Sequence, residues 1–466
     1  MQLPSAIESV LNQHGVPYSL VETEDCGAKA GSPQYPREGR VARASVLQDQ
    51  NGRVQAVIPS DCLLDLAALN SFTGRNLSAA TEDATAAMAS RRGLLALPAL
   101  PQILNMPMVV DRRVLESEGV VLEAGVQDAL VHIKREDFRR ILESTGSAVG
   151  NFCVPLDEID HNAMDLEGDI ADITNAVSKF TTFRIKQRLE ETLDFPPLPE
   201  IAHRIIQIGA DPYASVKDLA QIVEIDPSLS AQVVSWASSP YYAAPGKIKS
   251  IHDAIVRVLG FDLVMNLALG LALGKTLRLP KDGRYGYRNY WIQAVHCAAM
   301  VEGLVKAMPP EKRPATGLAY LAGLLHNCGF LIMAELFKPQ LQLVCRYTEA
   351  NPHVGHPAVE RFLLGVTREQ MAALLMRFWH LPEEVSTALR HQNDPDYDGE
   401  HAEFARLLYV AVRTLRLQGI GTAPVERVPD EVFAQLGLSR ATVHEVGERI
   451  HSSSEDFTSI ARELAA

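Results

Sequence analysis

The sequence predicts two folded parts of different class: an α+β domain over residues 1–145, then an all-helical domain. Three observations carry this. Up to residue 145, short β-type runs alternate with turn signals and a few helical stretches. From Pro196 onward nearly every stretch repeats its apolar residues at helical spacing. The length of 466 residues also calls for more than one domain, at a prior of ~150 residues each.

In the first part, Ala42–Leu47 and Val54–Ile58 flank Asn51-Gly52, a pair suited to a tight hairpin turn. Leu94–Leu97, Met108–Asp111, Val120–Leu122 and Ala129–Ile133 read as further strands. Ser5–His14, Leu63–Ala68 and Arg135–Leu142 read as helices. Residues 146–190 form an acidic linker and connecting helix, with no Lys or Arg between residue 146 and Lys179. Asp165, Glu167 and Asp169 lack the spacing of a calcium loop and suit the first turn of a helix over about 168–191. The helical domain spans 191–395, punctuated by Asp211-Pro212, Asp226-Pro227 and Ser239-Pro240. Residues 396–466 add three helices, the last interrupted near His451–Ser454.

Composition bounds the function. Hydrophobic residues at 47% and charged residues at 22% are ordinary for a globular chain. A formal charge of −13 argues against a protein that works by neutralising phosphates. Six cysteines, none at CxxC spacing, read as reduced thiols. No signal peptide is evident, and the apolar runs Gly93–Val110 and Leu263–Leu273 do not suit a membrane span. A soluble cytoplasmic protein is expected.

Several motifs of the second half occur in a recognisable order: Pro196-Pro197-Leu198-Pro199, Ile222–Leu229, Ile248–Ile251, Ala254–Gly260, Trp291, Gly323–Asn327, Glu360, Leu364-Gly365, Trp379–Pro382 and His391-Gln392. Over about 190–395 the chain resembles the HDOD family, helical signalling domains related to the HD-superfamily metal phosphohydrolases. Ala237-Ser238 stands where that family usually has Asn-Ser. The resemblance implies a cleft in which active HD enzymes hold metal with histidines and a bridging carboxylate, so that a bound water ionises near neutral pH. In the matching places stand Gln293, His326-Asn327, Arg368 and His391-Gln392. An amide bridges cations poorly, and Arg368 puts a permanent charge where a cation would sit. Neither metal nor any other cofactor is therefore expected. His326 and His391 read equally as buried core residues or as ligand-binding ones. His296, one turn from Gln293, reads as a packing or solvent-facing histidine.

Residues 1–145 resemble the YbaK family of aminoacyl-tRNA deacylase-like domains. The matching pieces are His14–Tyr18, the hairpin Val46–Ile58, Leu63–Leu66, Gly93 with Pro98, Val110-Asp111 and Glu123-Ala124-Gly125. The whole is then an N-terminal α+β YbaK-like mixed-sheet domain followed by an all-α HD-superfamily (HDOD) domain. The resemblance implies a pocket at Arg43, Gly93, Pro98, Asp111 and Gly125, with Arg43 where active members use lysine. Arg91-Arg92 and Arg112-Arg113 read as solvated surface rather than as RNA contacts.

The expected function is non-catalytic signal transduction with protein partners. A nucleotide second messenger in the HD cleft is one alternative. Aminoacyl-tRNA editing through Arg43 and the Gly93 loop is another, with tRNA the less favoured partner. No membrane is expected, and the helix at 168–191 offers a homodimer contact.

Overall fold

Helix α1 (Ser5–Gln13) opens the chain, burying Ile7, Val10 and Leu11 on one stripe. It stops at Gly15, whose φ of +58° suits glycine. The computed structural model describes residues 3–22, 40–123, 125, 129–159, 166–180, 197–209, 211–242, 246–274, 285–422 and 427–464. Cys26, Ala124, Asp160, Asp165, Pro196 and the expected helix beyond residue 180 lie outside them.

The main sheet is built from β1 (Tyr18–Glu22), β2 (Arg40–Asp49), β3 (Gly52–Pro59), β6 (Met108–Asp111), β7 (Gly119–Glu123), β8 (Ala129–Lys134) and β9 (Ala148–Gly150). Their order is β1-β8-β7-β2-β3-β6-β9, with β5 (Ser78–Ala79) added to β2. The β2–β3 pair is the predicted hairpin: Asp49 faces Gly52, and Asn51 N donates to Asp49 Oδ1 at 2.8 Å. The sheet is mixed, because β7 joins β2, β6 joins β3 and β9 joins β6 in parallel. A second ribbon pairs β4 (Cys62–Leu64) with β10 (Cys153–Pro155).

Helix α2 (Leu66–Thr73) follows β4, its start fixed by Asp65, whose carboxylate accepts from Ala67 N and Ala68 N. The helix predicted over Leu63–Ala68 is thus split at Asp65: the two leucines before it are strand, and helix begins only after the cap. Helix α3 (Glu82–Ser90) ends before Gly93, where φ is +69°. That turn, with Pro98 behind it, leaves Leu94–Leu97 irregular where a strand was expected.

Both faces of this sheet are covered, which explains why β3 is buried from Val54 to Pro59. Val57 joins a core with α1 and with Phe138, Ile141 and Leu142 of α4 (Arg135–Ser144). Its alternating neighbours Val54, Ala56 and Ile58 face a second core containing Leu63, Phe152, Tyr347, Ala350, Val354 and Val359. The chain divides into two compact units on this basis. The first takes in Met1–His161, Gln342–Leu363 and Ala423–Arg427. The second takes in Asn162–Leu341, Leu364–Thr422 and Val428–Ala466. Residues 342–363, which sequence patterning places inside the helical domain, therefore build part of the first unit's core.

Among the described residues, the regular elements of the second unit are helices. It begins with α5 (Leu166–Phe180), then α6 (Glu200–Gly209), α7 (Val216–Val223), α8 (Pro227–Ala237), α9 (Ile251–Ala254) and α10 (Phe261–Gly274). Proline at the first position of α8 follows the capping residue Asp226. Helices α11 (Tyr287–Ala307), α12 (Thr316–Leu325) and α13 (Cys328–Leu336) form its centre. Glycines permit the close crossings: a Cβ at Gly323 would lie 2.9 Å from Ala298 Cα, and one at Gly270 2.5 Å from Leu324. Helices α14 (Lys338–Ala350) and α15 (His356–Leu364) contribute to the first unit, and α16 (Arg368–Phe378) and α17 (Glu383–His391) return to the second. The C-terminal helices are α18 (Ala402–Leu417), α19 (Asp430–Leu436), α20 (Arg440–Ser452) and α21 (Ser454–Leu464), with the break where the sequence predicts it. The run Thr316–Leu336 has the length and apolarity to cross a membrane, yet 83% of it is buried inside the protein.

Candidate functional site

The HD-like residues converge because α12 ends at Leu325 with His326 as its cap, and Asn327 then caps the start of α13 at Cys328. Gly329, in the first turn of α13, sits against the start of α16; a Cβ there would fall 2.0 Å from Arg368 O. That approach delivers the guanidinium of Arg368 to Asn327, with Nη1 donating to Oδ1 at 3.0 Å. The same guanidinium lies 4.8 Å from the centre of the Phe330 ring, a cation–π contact that compensates part of its desolvation.

His326 is buried and uses Nδ1–H to reach Gly323 O at 2.8 Å. Burial drives its pKa down to about 4; the Gly323 bond resists the shift and the charge of Arg368 assists it. The ring is therefore neutral at pH 7. Gln392 Nε2 donates to His326 O at 2.9 Å and to Leu389 O at 3.1 Å, tying α17 to the end of α12. His391 instead stacks on Tyr397, ring centres 3.8 Å apart, and its pKa falls to about 4 through burial and then through the neighbouring charge of Arg390. Gln293 stands on α11 beside Gly421. The structure thus brings together His326, Asn327, Arg368 and Gln392.

A divalent metal, as HD ancestry implies, does not fit these side chains. The carbonyl oxygen of Asn327 is engaged by Arg368, and the guanidinium would repel a cation at hydrogen-bond range. Among the described residues, no three His, Cys, Asp or Glu side chains converge as ligands. His296 is core: Nδ1 bonds Ile292 O at 2.7 Å, Nε2 bonds Ser454 Oγ at 3.0 Å, and the ring packs edge-on to Phe457. Burial lowers its pKa as well.

One polar cluster beside this site escaped the sequence reading. Asp169 of α5 is buried and takes both Nε and Nη2 of Arg390, at 2.7 and 2.9 Å. It also accepts from Gln370 Nε2 at 2.7 Å, and Asp172 accepts from the same nitrogen at 3.1 Å. The available signal was phase: Asp169 shares a helical stripe with Ile173, Ala176 and Val177, all buried. The helix that was expected to offer a dimer contact packs its buried stripe within its own unit.

In the first unit, Arg43 on β2 pairs with Glu123 on β7, Nη2 to Oε1 2.8 Å. The Gly93 turn and Gly125 meet through Leu95 N, which donates to Gly125 O at 2.7 Å. A side chain at Gly125 would strike Leu94 at 2.7 Å, and its φ is +68°. Pro98 O accepts from the buried Gln55 Nε2 at 2.5 Å. Asp111, expected in the pocket, is a scaffold residue: its carboxylate accepts from Arg113 N, Phe152 N and Cys153 N at 2.9, 2.6 and 3.0 Å. Such a buried carboxylate ties β6 to the start of β10. Arg113 spends a guanidinium nitrogen on Cys153 O, whereas Arg91, Arg92 and Arg112 are exposed.

Comparisons with known proteins agree with both halves. The family model for the HDOD domain matches residues 195–395, and that for the aminoacyl-tRNA editing domain matches residues 23–141. A crystal structure of a candidate signal transduction protein from Marinobacter aquaeolei VT8 is 42% identical over 100% of both chains, with a TM-score of 0.88. An HDOD domain protein of unknown function from Geobacter sulfurreducens is 22% identical over 64% of this chain and 99% of its own, TM-score 0.48. A candidate trans-editing enzyme for prolyl tRNA synthetase is 19% identical over 33% of this chain and 98% of its own, TM-score 0.28. No curated protein matches the chain.

Proposed function

Because the chain belongs to the HDOD family and carries an aminoacyl-tRNA editing domain ahead of its HDOD domain, we propose that it is a signal-transduction protein that works without catalysis. Its output is contact with protein partners, made by a helical domain whose HD residues serve structure. The observation that carries this reading is the bond from Arg368 to Asn327. A bridging carboxylate would be needed there to hold a metal and ionise water; a neutral amide occupied by a cation supplies neither function. The bonds of His326 to Gly323 and of Gln392 to His326 O support the same role, since each joins backbone rather than an open space.

The test is turnover. Purified protein is incubated with cyclic dinucleotides, guanosine polyphosphates and a panel of mischarged tRNAs, with manganese or magnesium supplied. We expect no hydrolysis above buffer. Release of product that disappears in Arg368→Ala or in Arg43→Ala would overturn the reading and assign the activity to the corresponding unit.

A further inference from the structure

The first unit holds one arrangement that its sheet does not require. In the β4–β10 ribbon, Asp65 N bonds Phe152 O, so Cys62 and Leu64 turn their polar groups the other way. Those outward groups form a short strand edge that another strand or water would normally satisfy. Here side chains take the N–H and carbonyl of Leu64 and the carbonyl of Cys62. Asn351, fully buried, accepts from Leu64 N at 2.6 Å and donates to Leu64 O at 3.1 Å, imitating a paired strand with one amide. His353 donates from Nε2 to Cys62 O at 2.9 Å.

The same stretch continues the grip on either side. Tyr347 donates its hydroxyl proton to Asp65 Oδ1 at 2.7 Å and accepts from Ala67 N at 3.1 Å. Arg346 donates to Leu77 O at 3.0 Å, and Ser45 Oγ donates to Ala350 O at 3.2 Å. Ser45 is two residues from Arg43 on β2, so both side chains lie on one face of the sheet. Leu47 continues that face and packs with Tyr347, Ala350 and Val354. The charge of Arg43 also bears on the His353 ring, which burial holds neutral.

We propose that residues 346–354 are an internal plug for the Arg43-bearing face of the sheet, seated by Asn351 and His353, and that their withdrawal exposes Arg43, still paired with Glu123, to an anionic ligand that competes with that carboxylate. Directional bonds distinguish this from generic core packing: apolar side chains would cover the sheet equally well but would leave Leu64 and Cys62 unpaired. The plug gives a physical reason for silence at the editing-type domain and in that sense rests on the function proposed above. Turnover by the wild-type protein would overturn that function while leaving the plug to be judged by the reactivity of Arg43.

The experiment is arginine modification of the full chain with phenylglyoxal, read residue by residue by mass spectrometry. In the wild type, Arg43 should react about tenfold or more slowly than the exposed Arg91 and Arg112, as expected of a group freed only by local opening. In Asn351→Ala/His353→Ala its rate should rise toward theirs, and added inorganic phosphate should slow it again. If the double variant does not fold, Asn351→Asp provides the same comparison: it keeps an acceptor for Leu64 N but sets a carboxylate against Leu64 O. An Arg43 that reacts as fast as Arg91 in the wild type, or no faster in the folded variant, would overturn the proposal.

Discussion

Arg368 shows how one side chain changes the chemistry of a site. It supplies a fixed positive charge, satisfies Asn327 and stacks on Phe330. His326 beside it is neutral chiefly because it is buried, with the Arg368 charge assisting, and this makes stability depend on pH. The unfolded imidazole titrates near 6.5 and the folded one near 4. Between those values the unfolded chain binds the extra proton, so stability contributed at this position is complete above pH 6.5 and falls as the pH drops toward 4. Comparing wild type with His326→Gln by chemical denaturation, the stability difference should move on the order of 2–3 kcal/mol against the wild type from pH 7 to pH 4. A difference that stays constant would mean the ring remains accessible to protons in the folded state. These substitutions were visible in sequence as residue types at motif positions. Their geometry was not, because nothing in one chain announces that Gly329 lets α13 and α16 touch. Asp111 shows the opposite limit: a carboxylate in a matching motif position is spent on three backbone amides.

At the level of elements, α5 is held by charge as well as by its apolar stripe. The Asp169–Arg390 pair is largely buried, with 7% and 14% of the two side chains exposed. Removing one member of such a pair strands the other, at a cost of roughly 3 kcal/mol. Asp169→Asn should therefore lower the urea midpoint and speed amide exchange over α5, measured by hydrogen–deuterium exchange; an unchanged midpoint would show that Arg390 is adequately solvated without it. Element prediction succeeded where local chemistry was decisive. Asn51-Gly52 specifies its hairpin, and Asp226-Pro227 starts α8. It failed where tertiary pairing decides: β1, β9 and β10 are short and acquire their form from neighbours, and the apolar run Leu94–Leu97 is irregular, with Leu94 buried in the core and Leu95 exposed.

At the level of the molecule, the sheet runs past the division expected near residue 145: β9 (Ala148–Gly150) and β10 (Cys153–Pro155) lie in the stretch that sequence patterning gives to the acidic linker, because their partners are distant strands. The compact units follow a different rule, because Gln342–Leu363 completes the core of the first. Amphipathic spacing in α14 shows that Tyr347 and Val344 are buried, but spacing carries no label for the surface that buries them. The proposed role, signalling through protein contacts, needs no catalytic chemistry. Its central requirement is an HD region without a metal-activated water. The most direct measurement is elemental analysis for manganese, iron, nickel and zinc on tag-free protein after metal loading and desalting. The account predicts no stoichiometric metal. About one or two ions per chain, lost on chelation, would contradict it and would mean that Asn327 and Arg368 part to admit a cation.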